Sequence, residues 1–540
     1  MNSNKKQFDS AFVIFLTIAA LYAIGNFIWW QINTPIIPIS STAVHFMDIF
    51  SDGYLYYNAP LLTWIMKGMF FIFGKEYYDL IVIFVSYVFF LIPLYFIYKI
   101  GVELKDKETG NIAMILFALV PAVYGMSRQY GHQDYHIIAP MTFNIYCLIK
   151  TDYFKNMKWT IFYGISVGLG LMIKDTFLAF FFAPYVYITV VGLREKPDKA
   201  KIINILMATI LGSLIAGWHY FRNTVIMKII QEPIMDRYSI FAFDNFRVMT
   251  IGLWEELLAP PIFILFVIGL VFFIRRYRGA YKNIILLWFI IPWAIIMAMP
   301  QRKLPEHGAC LIPAMILICA VFISNVRNKY KKNFILIFLI IIGCLQYIDF
   351  SYVSYIKFFD MGIKIKKYFV GYYNRYNNLV SCDKKQTDLV LKLVKYLNCH
   401  YPDHTFYIDD RCILLDTTAI LFQMFLNNSS YRQWQYSTED VLSSDIIVII
   451  GKPQTPEEAA WLKLKKISGN PSQAKMVTHK FKNELSKQVE NMFNEIKKNY
   501  EIIDVFHLDE SKNEDTKVTL LSRKDKFPKF NGESVISETK

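Results

Sequence analysis

Between Ala11 and Ile348 the sequence keeps returning to apolar runs almost free of charge, each close to the roughly 20 residues that carry a helix across a bilayer core. The runs lie near residues 11–30, 80–99, 111–126, 137–150, 159–173, 176–192, 202–218, 259–274, 283–299, 309–325 and 333–348. They predict an α-helical polytopic membrane protein with about eleven transmembrane helices. Composition agrees: 54% of the residues are hydrophobic and 17% aromatic, against 19% charged, which excludes an ordinary soluble enzyme as well as collagenous and disordered chains. The first run is long and lacks a small-residue cleavage site, so an uncleaved first span is expected. A further apolar stretch, Leu61 to Gly74, is too short to span comfortably and reads as an interfacial helix.

The net charge of +14 comes from 58 basic and 44 acidic residues, and up to Asp349 the balance is 30 to 20. An apolar region that is also basic keeps its Lys and Arg in loops beside the membrane, so no nucleic-acid partner is expected. Alternate connections carry the dense clusters: Lys5/Lys6, Lys99/Lys105/Lys107, Lys150/Lys155/Lys158, Arg194/Lys196/Lys199/Lys201, Arg275/Arg276/Arg278/Lys282 and Arg327/Lys329/Lys331/Lys332. The positive-inside rule assigns them to the cytoplasm, and an odd number of spans puts the chain after about Asp349 outside.

From Ser351 the sequence turns polar. An amphipathic stretch at 384–397, the segment Phe406–Ile408, helical patterns at 416–426, 456–466 and 475–500, and apolar strands at 445–451, 502–506 and 518–521 predict a C-terminal extracytoplasmic α/β domain over 351–540, after a membrane domain over 1–350. Asp409-Asp410-Arg411 can contact an ion or a sugar, but charges just after a strand read first as solvated turn residues, and His400 and His404 flank a proline rather than sharing a helix face. The seven cysteines show no metal-ligand spacing; Cys382, Cys399 and Cys412 allow one disulfide with one thiol left over. No zinc site and no cofactor is expected, and no metal is assigned, although a divalent ion on the converging outer carboxylates stays open.

The informative residues are ionisable groups at the outer ends of spans, where burial is costly unless charge is paired or used. They are Asp48, Asp52, Glu76 and Asp79 in the first outer loop, and Arg128, His132, Asp134 and His136 in the second. Lys174 and Asp175 follow in the third, His219, Arg222, Glu255 and Glu256 in the fourth, and Arg302, Lys303, Glu306 and His307 in the fifth. Such mixed clustering suits a reaction in which Arg and Lys hold an anionic lipid head group while a carboxylate takes a proton from an acceptor. Taken singly, each is also an ordinary interfacial charge, and Lys174-Asp175 can be a local structural pair. Tyr54, Tyr56 and Tyr57 can stack on a sugar ring or form an aromatic belt.

Four segments resemble the integral-membrane GT-C glycosyltransferases that use polyprenyl-phosphate sugars, in particular the branch of protein mannosyltransferases and bacterial aminoarabinose transferases. Ser51-Asp52-Gly53-Tyr54 with Tyr57-Asn58-Ala59-Pro60-Leu61-Leu62 and a run ending Phe73-Gly74 looks like the family's first outer loop. Met126-Ser127-Arg128-Gln129-Tyr130-Gly131-His132-Gln133-Asp134 is similar to its Ser-Arg-Tyr motif followed by Asp. Gly168-Leu169-Gly170-Leu171-Met172-Ile173-Lys174 resembles its Gly-rich run ending in Lys, and Arg302-Lys303-Leu304-Pro305-Glu306-His307 with Leu311-Ile312-Pro313 its Lys-Leu-Pro segment. Asp52-Gly53 stands where the family commonly has Asp-Glu, Ala59 replaces a Pro, and His307-Gly308 stands in place of Tyr.

The resemblance implies a GT-C-like membrane domain that transfers a sugar from a polyprenyl-phosphate-linked donor to a glycan, lipid or protein acceptor on the extracytoplasmic side, with inversion. It further implies Asp52 or Asp48 as general base, Asp134 in support, and phosphate held by some of Arg128, Lys174, Arg222, Arg302 and Lys303. A bacterial inner membrane is the expected location. Two other readings stay open: a transporter or flippase of lipid-linked sugars, for which neither internal repeats nor mid-span acidic sites are seen, and an assembly subunit.

Overall fold

A computed structural model describes residues 10–33, 60–74, 77–128, 133–195, 198–222, 250, 253–298, 305–352, 362–365, 368–371, 384–401, 404, 406–408, 445–450, 498–507 and 517–524. The chain divides into two compact units, Met1–Thr34 with Asp48–Ser381, and Pro35–Met47 with Cys382–Lys540.

The first unit is helical: α1 (Ser10–Asn33), α2 (Leu61–Phe73), α3 (Tyr78–Leu104), α4 (Lys107–Ala118), α5 (Pro121–Met126), α6 (Gln133–His136), α7 (Ile138–Lys150) and α8 (Met157–Leu171). It continues with α9 (Phe177–Glu195), α10 (Lys199–Arg222), a π turn (Leu253–Leu258), α11 (Pro260–Arg275), α12 (Lys282–Ala298), a 3-10 turn (Pro305–Leu311), α13 (Ile312–Ser324) and α14 (Lys329–Tyr352). Among the described residues, six segments are long and apolar enough to cross a membrane: Ser10–Gln31, Leu80–Leu104, Phe177–Arg194, Lys199–Tyr220, His307–Ser324 and Lys329–Ile348. The protein is an integral membrane protein. The short β1 (Gly362–Ile365) and β2 (Tyr368–Gly371) follow as an antiparallel pair.

Side-chain size decides how the helices meet. A Cβ on Gly164 would lie 2.7 Å from the Ala208 carbonyl oxygen, and one on Gly168 would lie 2.5 Å from Ile215 Cβ, so glycines four apart on α8 let α10 approach closely. α13 is apolar and buried nearly all round, with Ile312 and Ala314–Val321 wholly shielded, which makes it the centre of the unit.

The run at 111–126 forms two helices rather than one. Pro121 has no N–H to donate and forces Val120 into an extended conformation (φ −78°, ψ 127°), which interrupts the helix after Ala118. The interruption frees carbonyls in an apolar interior. The Tyr22 hydroxyl donates to that of Ala118, and the Tyr124 hydroxyl lies 2.9 Å from those of both Leu119 and Gly343.

Among the described residues, the basic connections after α3, α7, α11 and α13 meet at one end of the unit, the basic end. There Lys150 pairs with Glu103 at 3.0 Å and Lys332 with Glu108 at 2.5 Å. Lys105 Nζ donates to the Ser324 carbonyl at 2.9 Å, and Tyr277 Oη to that of Leu104 at 2.5 Å. Burial pushes the Tyr277 phenol up to about 12. Asp106 caps α4, accepting from Thr109 N at 2.8 Å. Asp152, Tyr153 and Phe154 take left-handed φ values of 47°, 57° and 63°, held by Asn204 Nδ2 donating to the Phe154 carbonyl at 2.8 Å.

In the second unit, α15 (Lys384–His400) accompanies a sheet of β3 (Phe406–Ile408), β4 (Ile446–Ile450), β5 (Tyr500–His507) and β6 (Lys517–Arg523), in the order β3-β4-β6-β5. β3 and β4 are parallel, and the other pairings antiparallel. Leu389, Val390, Leu393, Val394 and Leu397 form one buried face of α15. The Tyr396 hydroxyl contacts Asp504, and burial together with that contact raises the phenol well above its ordinary value. The helix expected at 384–397 and the strands expected at 445–451, 502–506 and 518–521 are present. The helices expected at 416–426, 456–466 and almost all of 475–500, like Asp409-Asp410-Arg411, Cys382 and Cys412, lie outside the described residues. Cys399 is a free, exposed thiol.

Candidate active site

The Gly-rich run before Lys174 acts through packing. A Cβ on Gly170 would meet the Phe177 ring at 2.4 Å, so its absence lets the first residue of α9 close against the end of α8. The resulting turn is held by Met172 N to Gly168 O at 3.0 Å, Ile173 N and Lys174 N to Gly170 O at 3.0 and 3.1 Å, and Phe177 N to Lys174 O at 3.1 Å. Lys174 therefore has a fixed backbone and a long, mobile side chain.

That side chain reaches Asp134, on the single turn of α6: Nζ lies 2.5 Å from a carboxylate oxygen, with the two side chains 20% and 17% exposed. The alternative of a local Lys174–Asp175 pair gives way to this one, and Asp175 instead accepts from the Tyr220 hydroxyl at 2.9 Å. Cys310, in the central 3-10 turn, is buried within electrostatic reach of both members of the pair.

α2 joins the same corner. Leu61 N donates to the Met172 carbonyl at 2.9 Å, and Trp64 stacks on Trp218 of α10 at 5.1 Å. Leu62, Met66 and Phe70 are buried on one face of α2, while Phe71, Ile72 and Phe73 are exposed, so the helix presents apolar surface outward.

Arg128 forms a second cluster at this end. It is 3% exposed; Nε donates to Asn26 Oδ1 at 2.7 Å and Nη2 to Ser351 Oγ at 2.8 Å. Its guanidinium lies 5.3 Å from the Trp29 ring and 5.1 Å from the Tyr347 ring. Asn26 Nδ2 also donates to the Ser127 carbonyl at 2.9 Å. The arginine thus ties α1 and α14 to the end of α5. None of Asn26, Trp29, Tyr347 and Ser351 stands out in the sequence reading. The signal available was a polar residue within or at the end of an apolar span, where hydrogen bonding to another helix is the usual reason for its presence.

Of the other expected residues, His136 is fully buried with its ring edge-on to Phe89 at 5.1 Å, and His219 is buried between Trp218 and Tyr220. Asp48, Asp52, Tyr54, Tyr56, Tyr57, Glu76, His132, Arg302 and Lys303 lie outside the described residues, as do the side chains of Asp79, Arg222, Glu255, Glu256 and Glu306. The structure therefore brings Asp134 and Lys174 together and gives Arg128 separate, buried partners. Chemically, this end offers an ammonium with three N–H donors facing one carboxylate, a pair suited to holding an anion or orienting a hydroxyl.

Residues 57–220 match the family model described as dolichyl-phosphate-mannose-protein mannosyltransferase. That interval contains Asp134, Lys174 and Arg128 and ends before the Lys-Leu-Pro segment. No curated protein matches the chain. Among solved structures, ArnT from Cupriavidus metallidurans in the apo state has a TM-score of 0.57 at 10% identity, covering 95% of this chain and 98% of its own. The Archaeoglobus fulgidus oligosaccharyltransferase in its apo form has a TM-score of 0.50 at 11% identity, covering 87% of this chain and 73% of its own. At these identities the likeness is one of fold, and the fold is ArnT-like.

Proposed function

We propose that this protein, which resembles the GT-C glycosyltransferases of the protein-mannosyltransferase and aminoarabinose-transferase branch in motif order, in its family-model match and in fold, is a membrane glycosyltransferase. Its donor is a polyprenyl-phosphate-linked sugar and its acceptor a glycan, lipid or protein. About eleven spans make up a membrane domain over 1–350, with an α/β domain over 351–540 on the extracytoplasmic side of a bacterial inner membrane. The observation that carries this reading is the Asp134–Lys174 pair: two family-like motifs about forty positions apart supply opposite charges 2.5 Å from one another, at the end of the unit opposite the basic clusters.

In the reaction, an acceptor hydroxyl or amine attacks the anomeric carbon in one step with inversion, and the bond from that carbon to the phosphate oxygen breaks. The departing phosphate gains negative charge, and stabilising it is the largest electrostatic task. Lys174, with Arg222, Arg302 and Lys303, supplies that positive charge, and Arg128, through Asn26 and Ser351, holds the second-loop motif in place. Asp52 or Asp48 takes the acceptor proton, and Asp134 supports that base or positions the donor or acceptor.

The test is mass spectrometry of surface glycans and lipid-linked sugars in a strain lacking the protein, complemented with the wild type or with Asp48→Asn, Asp52→Asn or Asp134→Asn. One sugar is expected to disappear, its lipid-linked donor to accumulate, and the wild type but not the variant of the base to restore it. Unchanged glycans, or full rescue by every variant, would overturn the catalytic reading in favour of transport or assembly.

A further inference from the structure

Resting on the reading above, we propose that Lys174 is exchanged between two anions: the Asp134 carboxylate when the site is empty, and the phosphate of the lipid when it is filled. Asp134 on this view is a competitor that keeps the lysine charge-paired between turnovers and takes it back as the spent polyprenyl phosphate leaves.

Three observations carry the inference. The pair is close, at 2.5 Å, yet each side chain keeps about a fifth of its surface accessible, so water and a ligand can reach it without unpacking the core. The Lys174 backbone is fixed by the turn on Gly168 and Gly170, which confines movement to a flexible four-carbon stem. Among the described residues, Asp134 is the one carboxylate that Lys174 pairs with, so a second anion would compete with that carboxylate for the ammonium. The transfer itself raises the charge on the phosphate, from a diester to a monoester, which draws Lys174 further from Asp134 as the sugar departs. Recapture of the lysine by Asp134 then assists release.

A carboxylate that only braces the loop and one that competes with the ligand give opposite signs on removal. The experiment uses the full-length protein in nanodiscs and measures binding of a long-chain polyprenyl monophosphate, with the uncharged polyprenol and inorganic phosphate as separate probes. Asp134→Asn is expected to bind the monophosphate about tenfold more tightly than the wild type, Asp134→Glu within about twofold of it, and Lys174→Met about tenfold more weakly. In the Lys174→Met background, Asp134→Asn is expected to change affinity by less than about twofold, because no lysine remains to be released.

Weaker or unchanged binding by Asp134→Asn, with a wild-type melting temperature, would overturn the exchange and leave the glycosyltransferase reading standing. Equal tightening in both backgrounds would reduce the effect to charge repulsion and also overturn it. Polyprenol responding as the monophosphate does, or inorganic phosphate binding as tightly as the lipid, would remove the lipid phosphate as the exchanging anion. A well-folded wild type that binds none of the probes would overturn the proposed function itself.

Discussion

The two ends of the helical unit handle charge differently. At the basic end, lysines pair with carboxylates and stay partly in water, as Lys155 and Asp152 do at 51% and 58% exposure. At the site end, Arg128 is buried among two side-chain acceptors and two aromatic faces, while Lys174 and Asp134 keep only 20% and 17% of their side-chain surface exposed. Charges that keep their hydration cost little and fix little. Charges that surrender it persist only where structure or chemistry uses them.

Substitutions at the two ends should therefore separate by size and by kind. The largest expected effect is on turnover: Lys174→Met lowers sugar transfer by about 10²-fold with little change in melting temperature, read by donor consumption in proteoliposomes. Next is Arg128→Met, expected to cost about 3 kcal/mol because it strands Asn26 and Ser351, and to lower the melting temperature in detergent before any assay of activity. Tyr22→Phe, which leaves the Ala118 carbonyl without its hydroxyl donor inside the bundle, is expected to cost about 1–2 kcal/mol in the same measurement. Smallest is Lys155→Ala at the basic end, which removes an exposed pair with Asp152, within about 0.5 kcal/mol and with turnover unchanged. A Lys155→Ala effect as large as that of Arg128→Met would erase the distinction between the ends.

Much of the fold was legible because a bilayer imposes a length and a polarity on every crossing segment. Each expected span contains a helix, six described segments are long and apolar enough to cross a membrane, and the basic connections after α3, α7, α11 and α13 gather at one end. The exceptions are local and physical. The run at 111–126 was read as continuous because its hydropathy is continuous, although Pro121 already carried the signal for a break. Arg128 stood out as a charge, yet its partners Asn26 and Ser351 did not, since they come from the first and last helices and only packing makes them neighbours. Lys174 was noticed beside Asp175, but consecutive residues on a tight turn point apart, and its partner lies in another loop.

Hydropathy and charge asymmetry by themselves determined that this is a helical membrane protein, because those properties depend on the solvent around each segment and not on which segments touch, and four short motifs carried its resemblance to the GT-C glycosyltransferases. Tertiary structure alone decided that Gly168 and Gly170 serve close packing, that Arg128 is a buried tie between helices, and that Lys174 faces Asp134. Each of these is a contact between residues remote in the chain. Its energy comes from excluding water between them, which no local pattern records.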